Sequence, residues 1–192
     1  MKKVKTIFLM LTIFVLSSCC GITQTKKISY FNWGTNLKQI RKIAILPFQN
    51  YTNDKEIAAT VREVVLAEVL SQGIFDVVDP ALTDQVVFEE GIGKNLKFDA
   101  ATLKRIGKKL GVQAVLVGSV TYLKMERDGS YVYPVVGLSL RLIDVNTGKI
   151  IWECKAMKSG YSFWGKLFGL EPKSTLEIVF ELVQDMLKDW KE

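Results

Sequence analysis

Asp99-Ala-Ala-Thr-Leu-Lys-Arg-Ile-Gly-Lys-Lys-Leu-Gly-Val-Gln-Ala-Val-Leu-Val-Gly-Ser-Val120 is the stretch on which the fold turns. Leu103, Ile106 and Leu110 recur at helical spacing, with Lys104, Arg105, Lys108 and Lys109 on the opposite side. Asp99 suits the N-cap and Gly111 the C-terminal stop. Residues 112–120 form a nearly continuous apolar run, as expected of a strand covered on both faces. A helix feeding directly into such a strand predicts a layered α/β domain.

The flanking segments extend the pattern. Upstream, residues 42–48 predict a buried strand ending at Pro47, and Asn53 and Glu56 have the spacing of a capping box. A helix follows to about Gln72, with Val61, Val64, Val65, Leu66, Val69 and Leu70 on a wide apolar arc and Gly73 as its stop. Residues 74–78 predict a second strand, and Asp79-Pro80 opens a helix to about Glu90 with Leu82 and Val86 inward. This order implies right-handed crossovers and parallel pairing. Downstream, residues 115–127 and 131–145 predict an antiparallel pair turning at Asp128-Gly129. After Asn146-Thr147-Gly148 a further strand carries Ile150, Trp152, Cys154 and Ala156 on one side. Ser174 and Glu177 cap a final helix with a stripe of Leu176, Val179, Phe180, Val183, Leu187 and Trp190. The expected fold is a single α/β domain over 41–192, with a mixed parallel/antiparallel sheet flanked by helices and a C-terminal helix.

The first residues read as an address. Lys2, Lys3 and Lys5 precede a short apolar core at 7–16, well under the about 20 residues of a membrane span. Leu16-Ser17-Ser18-Cys19 resembles a bacterial lipobox, which makes 1–18 a signal peptide and Cys19 the lipidated residue. Cys20 follows in place of the Asp that retains some lipoproteins at the inner membrane, so the expected location is the outer membrane, facing the periplasm. Residues 19–40 read as an acylated anchor and tether, in which Tyr30, Phe31 and Trp33 either meet the membrane boundary or pack on the domain.

The 192 residues carry 26 basic and 20 acidic side chains, a net +6. Without Lys2, Lys3 and Lys5 this becomes 23 against 20, or +3, which argues against a nucleic-acid partner. The chain has no histidine, which removes Ser-His and Cys-His nucleophile systems and the commonest metal ligand. Gly91-Ile-Gly93-Lys94-Asn95 lacks the spacing of a phosphate loop, and Glu89-Glu90 point to different sides of a helix. No enzyme, cofactor or metal is expected. Cys154 reads as a buried free thiol, a disulfide with Cys20 being the alternative.

Residues 43–48 with Asn50 and Asn53, then 110–120, then Leu140-Arg-Leu-Ile-Asp-Val-Asn-Thr-Gly-Lys-Ile-Ile-Trp152, together resemble the CsgG-type bacterial lipoproteins. That group includes the periplasmic domain of the curli secretion channel, the penicillin-binding-protein activators and TolB amino-terminal domains. The resemblance covers about residues 40–190. It implies outer-membrane anchoring and work done by protein–protein contacts: a binding adaptor or assembly factor, or alternatively a pore subunit. An envelope protein and further copies of the chain are the partners to expect. Phe163, Trp164, Leu167 and Phe168, in a glycine-punctuated link, are the candidate contact site, unless they cap the sheet edge. No pore is expected, because the hairpin at Asp128-Gly129 is too short to cross a bilayer.

Overall fold

The computed structural model describes residues 25–32, 34, 37, 40–92, 96 and 98–190. The signal stretch, Cys19, Cys20, Trp33 and Gly93 to Asn95 lie outside them.

One sheet organises the described residues. Its strands are β1 (Lys26–Phe31), β2 (Lys42–Ile45), β3 (Gln49–Asn50), β4 (Asp76–Val77), β5 (Ala114–Asp128), β6 (Tyr131–Asp144) and β7 (Ile150–Ser159). They lie in the order β1-β7-β6-β5-β2-β4, with β3 also on β5. β2 runs parallel to β4 and β5, whereas β5, β6, β7 and β1 pair antiparallel. The helices are α1 (Ile57–Gln72), α2 (Pro80–Glu89), α3 (Ala100–Leu110), α4 (Phe163–Phe168) and α5 (Thr175–Leu187), followed by a 3-10 turn at Lys188–Trp190. The sheet is mixed, as expected.

The deciding stretch folds as its residues dictate. The Asp99 carboxylate accepts from the Thr102 N–H at 2.7 Å, and Gly111 ends α3 in the left-handed region at φ 64°. Gly107 lets α3 lie on the end of β6, since a Cβ there would come within 2.6 Å of Val145. In β5, alternate residues then enter two different cores. Leu116 and Val120 join Ile43, Leu138, Leu140, Leu142 and Trp152 beneath α1 and α5. Val115 and Val117 join Ala44, Leu46 and Ile143 beneath α2 and α3.

Several elements depart from expectation. The tether reading fails at residues 26–31, which form edge strand β1. No box forms between Asn53 and Glu56; Asp54 instead accepts from the Glu56 and Ile57 N–H groups. The second expected strand shrinks to β4, and in α2 Thr83 and Val87 turn inward with Val86 while Leu82 is exposed. A register shift between Leu142 and Ile143 rotates Ile150 onto the α3 side, so Ile151 enters the core with Trp152. In α5 the buried residues include Ile178, Leu182 and Met186, and Leu176 and Phe180 face outward. The capping box of Ser174 and Glu177 forms as read.

Candidate functional site

The two helix layers are unequal. α5 packs on β6 and β7, whereas α2 and α3 lie mainly on β2 and β5 and meet β6 at its end, near Ile143 and Val145. Apart from that end, the face of β6, β7 and β1 turned away from α5 is left without a helix among the described residues. Pairing arranges it in cross-strand rows: Lys26, Met157, Gly137 and Tyr122; then Ile28, Lys155, Ser139 and Ser119; then Tyr30, Glu153, Arg141 and Val117. Ile28 is 78% exposed, high for an isoleucine inside a sheet. It borders a shallow groove of about 640 Å³ with Met157, Thr121 and the stems of Lys26 and Lys155. Lys155 pairs with Glu153 at 3.3 Å, and the Lys124 ammonium lies 5.5 Å from the Tyr122 ring centre. Apolar side chains inside a largely cationic rim suit an acidic protein surface with an apolar centre.

β1 is held to this sheet from its other side. Lys27 donates to Asp189 at 2.6 Å and to the Asp185 carbonyl at 2.8 Å, and Thr25 donates to the Asp185 carboxylate at 2.6 Å. The same carboxylate receives Lys158 at 2.9 Å and Lys188 at 2.8 Å; Lys158, itself buried, also reaches Glu181 at 3.1 Å. Lys173 completes the cluster on Glu181. Burial works to raise the Asp185 carboxyl, but hydrogen bonds from Lys188, Thr25 and Lys158 outweigh it and hold the group below the ordinary carboxylate range. Glu181 is lowered in the same way, burial being overcome by Lys173 and Lys158. Cys154, beneath β1, is a buried free thiol pushed up to about 11 by burial.

The expected site residues separate. Tyr30 and Phe31 are neighbours in a strand and so point to opposite faces. Tyr30 stands on the open face, and Phe31 packs on the core opposite Trp152. α4 runs from its Ser162 cap to Gly169, with Leu167 and Phe168 exposed; the side chains of Phe163 and Trp164 lie outside the described residues. The basic face of α3 is partly neutralised. Arg105 and Lys109 meet Glu90 at 2.6 and 2.9 Å, and the Glu90 side chain, expected on the solvated surface, is only 8% exposed.

These strands match the family described as "Peptidoglycan-synthase activator LpoB" over residues 27–156, more than half of the chain. The chain belongs to the LpoB family. The CsgG-type resemblance thus narrows to its activator relatives, within a family of envelope lipoproteins. Solved structures with the same fold include the PelC dodecamer from Paraburkholderia phytofirmans, at 16% identity and TM-score 0.59 over 85% of this chain and 95% of that one. Another is lipoprotein GNA1162 from Neisseria meningitidis, at 22% identity and TM-score 0.53 over 68% and 92%. The LpoB C-terminal domain from Escherichia coli aligns at 20% identity and TM-score 0.46 over 65% and 87%. A search of curated proteins finds no match. The LpoB match begins in β1 and ends in β7, so it spans every strand and stops before α4 and α5. Sequence reasoning missed the open face because its residues come from four strands, and its one local signal was the polar alternation of Ser139 and Arg141.

Proposed function

We propose that this chain is an outer-membrane-anchored periplasmic adaptor that binds a peptidoglycan synthase and stimulates it through the open face of the sheet. The LpoB match carries the reading. It covers the strands that build the open face and omits α4, so the sheet is favoured over Leu167 and Phe168 as the synthase contact. α4, with Phe163 and Trp164, is assigned a membrane contact instead. The role is that of a regulator, with no chemistry of its own. A pore is disfavoured by geometry. β7 ends opposite Val135, so only residues 125–128 and 131–134 of the β5–β6 hairpin project beyond it. That is less than half of the about 9–11 residues a membrane strand needs.

The test is glycan polymerisation by a purified bifunctional synthase of the same organism, with and without the lipidated full chain in detergent. The chain should raise the rate several-fold. Lys155→Glu should abolish the increase while leaving the melting temperature nearly unchanged, since exposed substitutions stay within about 0.5 kcal/mol. Unchanged synthase rates with the unmutated chain would sink the proposal. Because PelC is a dodecamer, sedimentation of the same sample should establish whether the active species is oligomeric.

The anchor is assigned to Cys19. Multiple acyl chains there would hold the protein stably, at about 0.8 kcal/mol per buried methylene. Cys19→Ser should accumulate as an unlipidated precursor of higher mass. A mature N-terminus at any residue other than 19, read by mass spectrometry, would contradict the assignment.

A further inference from the structure

A second feature of the open face lies at its inner end, where the α2–α3 layer begins. A cavity of about 210 Å³ has Val117, Ser119, Ser139 and Arg141 in its floor. One wall is formed by Pro47, between β2 and β3, and Gln49 at the start of β3; another is formed by Leu96 and Phe98. Ser119 and Ser139 face each other directly across β5 and β6, and Arg141 stands one row along, opposite Val117. Ser139 is buried. Among the described residues, neither hydroxyl and no nitrogen of the Arg141 guanidinium has a hydrogen-bond or ion-pair partner. The nearest acid by register, Glu153 on β7, is paired with Lys155 instead.

The wall is also conformationally unusual. Leu96 has φ 44°, and it is the one non-glycine residue in the left-handed region among the described residues. Gln49 holds it there by donating to its carbonyl at 2.9 Å. Backbone held in a sparsely populated region is concentrated at binding sites.

We propose that this cavity binds a carboxylate carried on a short apolar body. A guanidinium with five donors and two serine hydroxyls can surround a carboxylate, and the planar fork of arginine matches its two oxygens. One unpaired cation matches one negative charge. A phosphate, carrying between one and two charges, would remain undercompensated, because Arg141 is the one cation among the described residues that line the cavity. Leu96, Phe98, Val117 and Ile143 supply apolar contact for the remainder of the ligand. The proposal does not depend on the synthase reading, and its test uses the chain alone.

The test is amide NMR on the full chain in detergent, titrated with N-acetyl-alanine, N-acetyl-alanyl-alanine, the C-terminal amide of each, and inorganic phosphate. The two acids should shift the Ser119, Ser139 and Arg141 amides saturably at millimolar concentration. The amides and Arg141→Gln should bind roughly tenfold or more weakly, the scale expected for losing a charged hydrogen bond. Ser139→Ala should weaken binding by a smaller factor, and it provides the test should Arg141→Gln not fold. Equal saturation by the two acids identifies a small free acid as the ligand, and tighter binding of the dipeptide identifies the terminus of a peptide chain. The assignment is overturned by an absence of saturable shifts, by shifts centred elsewhere, by phosphate binding as well as the acids, or by unaltered binding in both variants.

Discussion

Trp152→Ala is expected to lower the midpoint of thermal unfolding by roughly 6–20 °C, from about 3–5 kcal/mol spread over a chain of this size. Trp152 has no exposed surface, and its ring meets Trp190 edge-on at 5.0 Å. Trp190 meets Phe75 in turn at 5.3 Å. The three rings tie β7, the end of the chain and the approach to β4 into one core. The Trp152 indole N–H has no acceptor among the described residues. Its removal therefore offsets part of the loss and moves the expectation toward the lower end of the range. Trp152→Phe keeps the aromatic contact and should recover more than half of the shift. Calorimetry on the three proteins measures this. A shift of under about 2 °C in the alanine variant would mean that the rings do not bear on the core.

The second large effect is Lys158→Met. The methylene stem of Lys158 survives this change, but Asp185 and Glu181 lose the buried ammonium between them. Removing one partner of a buried pair destabilises by about 3–5 kcal/mol. Both carboxylates retain partial exposure, so about 3 kcal/mol, or roughly 6–12 °C, is the expectation. The acid dependence has a definite sign. Both carboxyls are held below their unfolded values of about 3.9 and 4.3, so their stabilisation is present above that range. It is lost as pH falls from about 4 through the lowered folded values. Asp185→Asn should flatten the acid limb while lowering stability at neutral pH. Amide exchange should then rise in β1 before it rises in β6. An unchanged acid limb in Asp185→Asn would show that the cluster does not couple to folding.

Legibility in the sequence followed the locality of the forces. α3 and β5 could be read because Asp99, the three-to-four spacing of Leu103, Ile106 and Leu110, and Gly111 all act within a few residues. β1 could not. Its sequence, Lys-Lys-Ile-Ser-Tyr-Phe, buries no residue fully, and its partners on β7 and α5 lie more than a hundred positions away. The exposed positions of Leu176 and Phe180 were equally hidden, since both continue an apolar stripe and only the packing of α5 decides which edge of that stripe is covered. Ile150 turned on a register shift that leaves no mark in composition. Cys19 and the residues before it lie outside the described residues, and their reading as an address rests on the motif alone. The open face and the cavity at Arg141 emerge only once four strands and the stretch through Leu96 are brought together.

The docking of β1 changes how far the domain can stray. A free leash from Cys19 to Arg41 could extend about 75 Å at full stretch. With Thr25 fastened to Asp185, the slack from Cys19 shrinks to about 20 Å. Under the lipidation proposed for Cys19, the edge of the sheet rides close beneath the outer leaflet's partner, within a few diameters of a helix. Unfastening β1 would return about 55 Å of travel to the domain, so under that proposed anchoring the Asp185 cluster sets how far the sheet can stand from the membrane.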